Sequence, residues 1–225
     1  MKWGPAVIRR QTFHEGTGMT STSGWSPADT EATRYRATPW VLIIGGVIGW
    51  LASFELTLDK IRILADPDYA PPCDINPVVS CGSVIVTEQA SVFGFPNPIM
   101  GLGGFAIVVT LGVLLAAKTP IPGWVWLGLN LGALAGLGLV IWLVSQSLYS
   151  IGALCPWCMV VWVVTIAIFW VVTAENASTA RFSRGPTPGI VADTVSALRW
   201  VLVGASYTVI LGLIFVRWMD FWLGN

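Results

Sequence analysis

The stretch Leu154–Ala174, LCPWCMVVWVVTIAIFWVVTA, begins with Cys155 and Cys158 and continues as an apolar run. About 20 such residues cross a hydrocarbon core of about 30 Å as a helix. Runs of similar character lie at Trp40–Leu58, Pro98–Ala117, Trp124–Tyr149 and Arg199–Trp218, five in all with the run from Cys155. Hydrophobic residues form 55% of the chain and charged residues 11%, against about 25% charged in a soluble domain. Mean hydropathy is +0.72. So little polar surface cannot cover a globule in water. The sequence therefore predicts an all-α integral membrane protein with five transmembrane helices. Thirteen tryptophans fit a chain with two lipid–water interfaces to anchor. The formal net charge of zero gives no basis for binding nucleic acid.

The connections between the runs differ in character. Short links at Lys118–Gly123 and Ser150–Leu154 predict that the second, third and fourth helices pack as antiparallel neighbours. The link Asp59–Asn97 is long, polar and proline-rich, and loops of that length usually carry function or lack order. Residues 1–38 are polar and rich in Ser and Thr. They lack the pattern of a cleaved signal peptide and read as a disordered tail. If the N-terminus is cytoplasmic, nine basic residues (Lys2, Arg9, Arg10, Arg34, Arg36, Lys118, Arg181, Arg184, Arg199) lie inside, and three (Lys60, Arg62, Arg217) lie outside. That bias orients a membrane chain. It puts the Asp59–Asn97 loop, the Ser150–Leu154 turn and the C-terminus on the outer face. All four cysteines, Cys73, Cys81, Cys155 and Cys158, then share the side where disulfides persist.

Cys-Pro-Trp-Cys has the spacing of a redox pair. Pro156 suits the first turn of a helix, which places Cys155 near the N-cap and Cys158 near the third helical position. Free N–H groups and the helix dipole there favour a thiolate, the nucleophile of disulfide exchange. Cys155 reads as the more superficial of the two, placed to meet another sulfur, and Cys158 as about a turn deeper. Cys73 and Cys81 stand eight positions apart in PPCDINPVVSCGSVIVTEQASVFGFPNP. The positions Val78, Cys81, Ile85 and Val92 suggest a piece lying flat on the membrane. Two dithiol pairs on one face can pass electrons through a mixed disulfide. A bundle in lipid is needed if the terminal acceptor is itself a lipid, and a quinone takes two electrons and resides in the bilayer. Two other readings stay open on spacing. Four cysteines can form a zinc site, although these spacings match no common ribbon or finger, and the single histidine, His14, falls in the tail. The chain can equally be a non-enzymatic membrane scaffold or transporter subunit pinned by structural disulfides.

CDINPVVSC, then FGFPNPIMG, then CPWC opening a later membrane helix resemble the vitamin K epoxide reductase (VKOR) family in its bacterial branch, over roughly Trp40–Ala174. The resemblance implies a quinone-dependent thiol oxidase of the bacterial plasma membrane that makes disulfides for secreted proteins. It implies that Cys155 and Cys158 are the active-site pair, with Cys158 delivering electrons to a menaquinone- or ubiquinone-type quinone. Cys73 and Cys81 would be the shuttle pair, Cys81 exchanging with Cys155 and Cys73 meeting an external thiol protein. Asn97 falls at a quinone-contacting position of the family, although Asn97-Pro98 also reads as an N-cap and first helical residue. Trp162, one turn below Cys158, stands where mammalian relatives place a quinone-contacting Tyr; packing explains it equally. Ser80 beside Cys81 can bond a thiolate or simply hold the loop. Many bacterial members carry a fused thioredoxin-like domain after helix five. Here the chain ends at Asn225, so the implied partner is a separate extracytoplasmic thioredoxin-fold protein of the Dsb type. The organisation that the resemblance implies is a cytoplasmic tail 1–38, a four-helix redox bundle 39–175 with its loop 59–97, a cytoplasmic loop 176–198, and one peripheral fifth helix with a short outer C-terminus, 199–225.

Remaining polar residues receive simpler readings. Asp74 beside Cys73 is a loop carboxylate whose charge would disfavour a neighbouring thiolate. Glu55, near Lys60 and Arg62, is expected to form an interfacial ion pair with them. Gln146 and Tyr149 line the pocket or anchor the interface. Glycines at 45, 46, 49, 101, 103, 104, 128, 132, 136 and 138 read as sites of close helix packing.

Overall fold

A computed structural model describes residues 27–66, 68–179 and 190–223. The helices are α1 Pro27–Ala65, α2 Cys81–Ile85, α3 Asn97–Ala116, α4 Gly123–Gln146, α5 Pro156–Ser178, α6 Ile190–Arg217 and α7 Met219–Leu223. A 3-10 turn, Glu88–Ser91, lies between α2 and α3, and a π turn, Ser147–Ile151, extends α4. Five of these helices are long and apolar enough to cross a membrane. The chain is therefore a multi-pass, all-helical membrane protein. α1 begins at Pro27, inside the segment expected to be a tail, and residues 1–26 lie outside the described part. So do residues 180–189, the middle of the expected loop 176–198, whose flanks belong to α5 and α6.

Packing follows chain order except between the second and third spans. α1 lies against α3 and α5, α4 against α5, and α6 against α5. The expected close pairing of the second and third spans is thus replaced by α1 against α3. The physical reason is shape. A methyl group at Gly49 would come 2.5 Å from the Phe105 ring, and one at Gly112 would come 3.0 Å from the Ile43 backbone nitrogen. Only hydrogen at these positions lets the two backbones approach, and close backbone contact drives helix association where lipid supplies no hydrophobic force. Connectivity by a tight turn does not outweigh that fit. Gly103, Gly104, Gly128, Gly132 and Gly138 meet nothing within 4 Å, so the packing role expected of them is not seen. α5 is the most enclosed span, with Trp162, Val164, Ile166, Ile168, Val171 and Val172 among its buried residues.

α4 ends through the π turn. The Gly152 N–H bonds back to the Ser147 carbonyl at 3.1 Å, and Gly152 itself adopts φ +71. A left-handed residue is the usual helix stop, and glycine enters that region without a Cβ clash. The stop turns the chain into Ala153–Cys155 and so into α5.

Candidate redox site

Cys73 and Cys81 form a disulfide, with Cα atoms 5.6 Å apart. Cys155 and Cys158 are free thiols. Cys155 Sγ lies 3.4 Å from Cys81 Sγ in a buried contact. Reacting atoms about 3–3.5 Å apart are at the separation from which bond exchange proceeds.

Local chemistry shapes each half of this contact. The loop from Cys73 closes on itself: Asn76 Oδ1 accepts from the N–H groups of Val78 at 2.9 Å and Val79 at 2.8 Å. The N–H of Ile75 returns to the Val79 carbonyl at 2.9 Å. Ser80 is the N-cap of α2; its Oγ accepts from Ser83 N–H and donates to Asp74 Oδ1, both at 3.0 Å. Asp74 Oδ1 also accepts from the Gly82 N–H at 2.8 Å. At the other end of α2, Lys60 Nζ donates to the Ile85 carbonyl at 2.9 Å. A carboxylate at the start and an ammonium at the end suit the helix dipole. Ser80 therefore holds the loop, and Asp74 acts as a second acceptor at the start of α2.

The loop is joined to the second cysteine pair by backbone bonds. Val79 and Leu154 form a parallel bridge. The Ser80 N–H donates to the Leu154 carbonyl at 3.0 Å, and the Leu154 N–H to the Val78 carbonyl at 2.7 Å. Each cysteine is one or two residues beyond this bridge, so the pairing register carries Cys81 and Cys155 into contact. Cys155 is the N-cap of α5, and its Sγ accepts from the Cys158 N–H at 3.4 Å. The Cys155 thiol is held below the ordinary cysteine value, chiefly by the side-chain hydrogen bond from Cys158. The N–H groups of Cys158 and Trp157 add to this, while burial and the Asp59 carboxylate oppose it.

Cys155 at the N-cap is covered, 0% exposed, while Cys158, about a turn further along α5 as expected, is partly exposed. Cys73 and the residues Cys81, Val84 and Ile85 of α2 share an apolar cluster with Cys155 and cover the N-cap sulfur. Cys158 borders that cluster and a second one containing Trp162, Val144, Leu148 and Leu154. Trp162 is 3% exposed and is packed within this second cluster.

Asn97 is the first residue of α3 and its side chain does not cap that helix. Its Nδ2 donates to the Gln89 carbonyl at 2.7 Å, and its Oδ1 accepts from the Val92 N–H at 3.0 Å. The 3-10 turn folds back over the start of α3 and captures the amide, which displaces the expected N-cap role. The flat amphipathic piece expected around Val78–Val92 is limited to the five residues of α2 and the 3-10 turn, with Val92 43% exposed. Tyr149 is 68% exposed and stands at the surface.

The ion pair expected at Glu55 forms elsewhere. Arg62 pairs with Asp59 at 3.4 Å, because residues three apart share a helix face. Asp59 is 1% exposed, and Tyr69 O–H donates to its Oδ1 at 3.0 Å. On the sequence alone Asp59 is only the start of the loop. Asp-x-x-Arg at the end of an apolar run was the signal available for it. The cluster ties the strap leading to Cys73 onto the end of α1.

A model of the vitamin K epoxide reductase family matches residues 40–173. No curated protein matches the chain. The family match spans more than half of the 225 residues and contains all four cysteines, and the chain belongs to the vitamin K epoxide reductase family.

Proposed function

We propose that this protein is a thiol:quinone oxidoreductase that makes disulfides for secreted proteins, acting at the extracytoplasmic face of a bacterial plasma membrane. Family membership supports a quinone-linked disulfide oxidoreductase. The single observation that carries the proposal is the 3.4 Å approach of Cys155 Sγ to Cys81 Sγ, one sulfur of a formed disulfide. A scaffold held by inert bridges has no need of a free sulfur there. The distribution of basic residues supports the orientation, with the cysteines outside.

The steps balance as follows. A thioredoxin-fold partner of the Dsb type attacks the Cys73–Cys81 disulfide through Cys73, and the partner's second thiol resolves that mixed disulfide. The partner leaves oxidised, and Cys73 and Cys81 are left as thiols. Cys81 thiolate attacks the Cys155–Cys158 disulfide at Cys155, and Cys158 leaves as thiolate. Cys73 then attacks Cys81, which re-forms Cys73–Cys81 and releases Cys155. A Cys73–Cys81 disulfide beside two free thiols supports this order. Re-forming Cys155–Cys158 gives up two electrons and two protons. The lowered Cys155 value favours its departure as thiolate in the last exchange, since a leaving group of lower pKa leaves faster.

A quinone beside Cys158 supplies the two-electron, two-proton sink. The surroundings fit such a flat apolar group: Cys158 is partly exposed and borders Met159, Trp162 and two apolar clusters. Cys158, Trp162 and Asn97 would hold it. Asn97 retains one amide proton and one lone pair beyond the bonds to Gln89 and Val92.

The test is Cys158→Ser in the purified, inserted protein. Quinol formation is expected to fall to background, while Cys81–Cys155 accumulates as a trapped mixed disulfide. Unimpaired quinone turnover in that variant would remove the basis of the assignment.

A further inference from the structure

The C-terminal end of α6 has no part in the relay described above, yet it reaches the same site. Along the bilayer α6 is fastened to α5: Trp170 Nε1 donates to Ser206 Oγ at 3.0 Å, and Tyr207 O–H to the Val163 carbonyl at 2.8 Å. At the redox end Ile214 and Trp218, each 7% exposed, are buried in one cluster with Val78, Leu154 and Trp162, and Cys158 packs against that cluster. Val78 and Leu154 are the residues whose backbones join the two cysteine segments.

A polar contact acts at the same place. Arg217 Nε donates to the Leu148 carbonyl at 2.8 Å. Leu148 lies in the π turn, and the last carbonyls of a helix have no donor within the helix. A guanidinium is a favoured partner for them, through both hydrogen bond and dipole. Only Gly152 and Ala153 separate the π turn from Leu154. A shift of that turn is therefore transmitted directly to the bridge and to Cys155.

We propose that the end of α6, through Arg217, Ile214 and Trp218, is a positioning element of the relay: it clamps the π turn and the Val78–Ser80/Leu154 pairing and so sets the Cys81–Cys155 separation. This rests on the thiol-relay reading. Arg217 bonds the Leu148 carbonyl, and the three residues act through the backbone that carries Cys81 and Cys155.

The exchange can be followed without any quinone. In a Cys158→Ser chain Cys155 thiolate attacks Cys81, the Cys73–Cys81 bond breaks, Cys73 leaves and takes up a proton, and Cys81–Cys155 forms. The mixed disulfide is counted by alkylation and peptide mass spectrometry at intervals after a pulse of a small-molecule disulfide, which oxidises the Cys73 and Cys81 thiols of reduced protein to the starting bond. In that background Arg217→Ala is expected to slow its formation roughly tenfold, since a displacement near 1 Å can cost up to ~10²-fold. Arg217→Lys is expected to restore most of the rate. Tyr207→Phe loosens α6 at mid-membrane and is expected to leave the rate unchanged.

An Arg217→Ala rate within about twofold of the parent, or an equal loss in Tyr207→Phe, overturns the clamp while the relay stands. Absence of any Cys81–Cys155 bond with Arg217 intact overturns both. Where Arg217→Ala fails to accumulate, Trp218→Leu carries the test: slowing with normal insertion supports the clamp, and an unchanged rate overturns it.

Discussion

The shafts of α1 and α3 and the redox end above them are held by opposite means. Along the shafts, Gly49 faces the Phe105 ring and Gly112 faces the backbone of Ile43, with a methyl group sterically excluded at each. Contact there is a matter of shape, and the backbone polar groups are already spent inside the helices. At the redox end the helices are short or absent. Position comes from discrete hydrogen bonds: Asn76 to Val78 and Val79, Asp74 to Ser80 and Gly82, and Ser80 and Leu154 across the bridge. The difference teaches that stability and sulfur geometry are separable here. A poorly fitting shaft weakens the whole bundle, whereas a lost loop bond moves one sulfur relative to another.

Substitutions can break or sharpen that contrast. The largest effect is expected from Cys155→Ala: partner oxidation falls to background, yet the Cys73–Cys81 disulfide and membrane insertion persist, as read by thiol alkylation and protease protection. Collapse of the fold in this variant would mean that the two regions are not separable.

Next in size, Gly112→Ala forces a Cβ to within 3.0 Å of the Ile43 backbone and is expected to cost about 1–3 kcal/mol, the range for overpacking. Its thermal midpoint in detergent should drop while the thiol pattern of surviving protein stays unchanged. A normal midpoint would show that α1 and α3 are not shape-limited.

A smaller and more local effect is expected for Asp74→Ala, which takes the acceptor from the buried Ser80 hydroxyl and the Gly82 N–H. A side-chain hydrogen bond of this kind contributes about 1–2 kcal/mol. The cost should appear as slower Cys81–Cys155 exchange with little change in the thermal midpoint. The opposite pattern would assign Asp74 to stability alone.

The smallest effect concerns pH. Thiolate content rises with pH and reaches one half at the thiol's own pKa. Because the Cys155 value is lowered, the rise in its reactivity is displaced to lower pH than for an ordinary cysteine. In a Cys73→Ser, Cys81→Ser chain, where Cys155 has no partner sulfur on the loop, alkylation of Cys155 should show that displaced midpoint. Cys158→Ala removes the principal donor and should move the midpoint upward. An unmoved midpoint would place the cause in the backbone N–H groups instead.

Much of this organisation was legible in the residues. Span length and apolar character identified the five membrane helices, because lipid requires a helix to satisfy its own backbone. Pro156 after Cys155 marked the start of α5, and the N-cap position of that sulfur followed locally. Less visible were Asp59, whose partner Tyr69 lies across a turn, and Asn97, whose amide is taken by a turn that folds back upon it. The cover over the Cys155 sulfur was not legible, because position along a helix says nothing about a loop that folds over its end.

The sequence by itself determined what each segment is: apolar runs of membrane length, a thiol pair at a helix start, and a second pair in a polar loop. These follow from composition and spacing over a few neighbouring residues. Only the tertiary structure decided which surfaces meet. The Val79–Leu154 pairing joins positions far apart in the chain, and nothing local specifies its register. It is set by the combined fit of α1, α3, α5 and α6 around the loop, and that fit carries Cys81 to within 3.4 Å of Cys155.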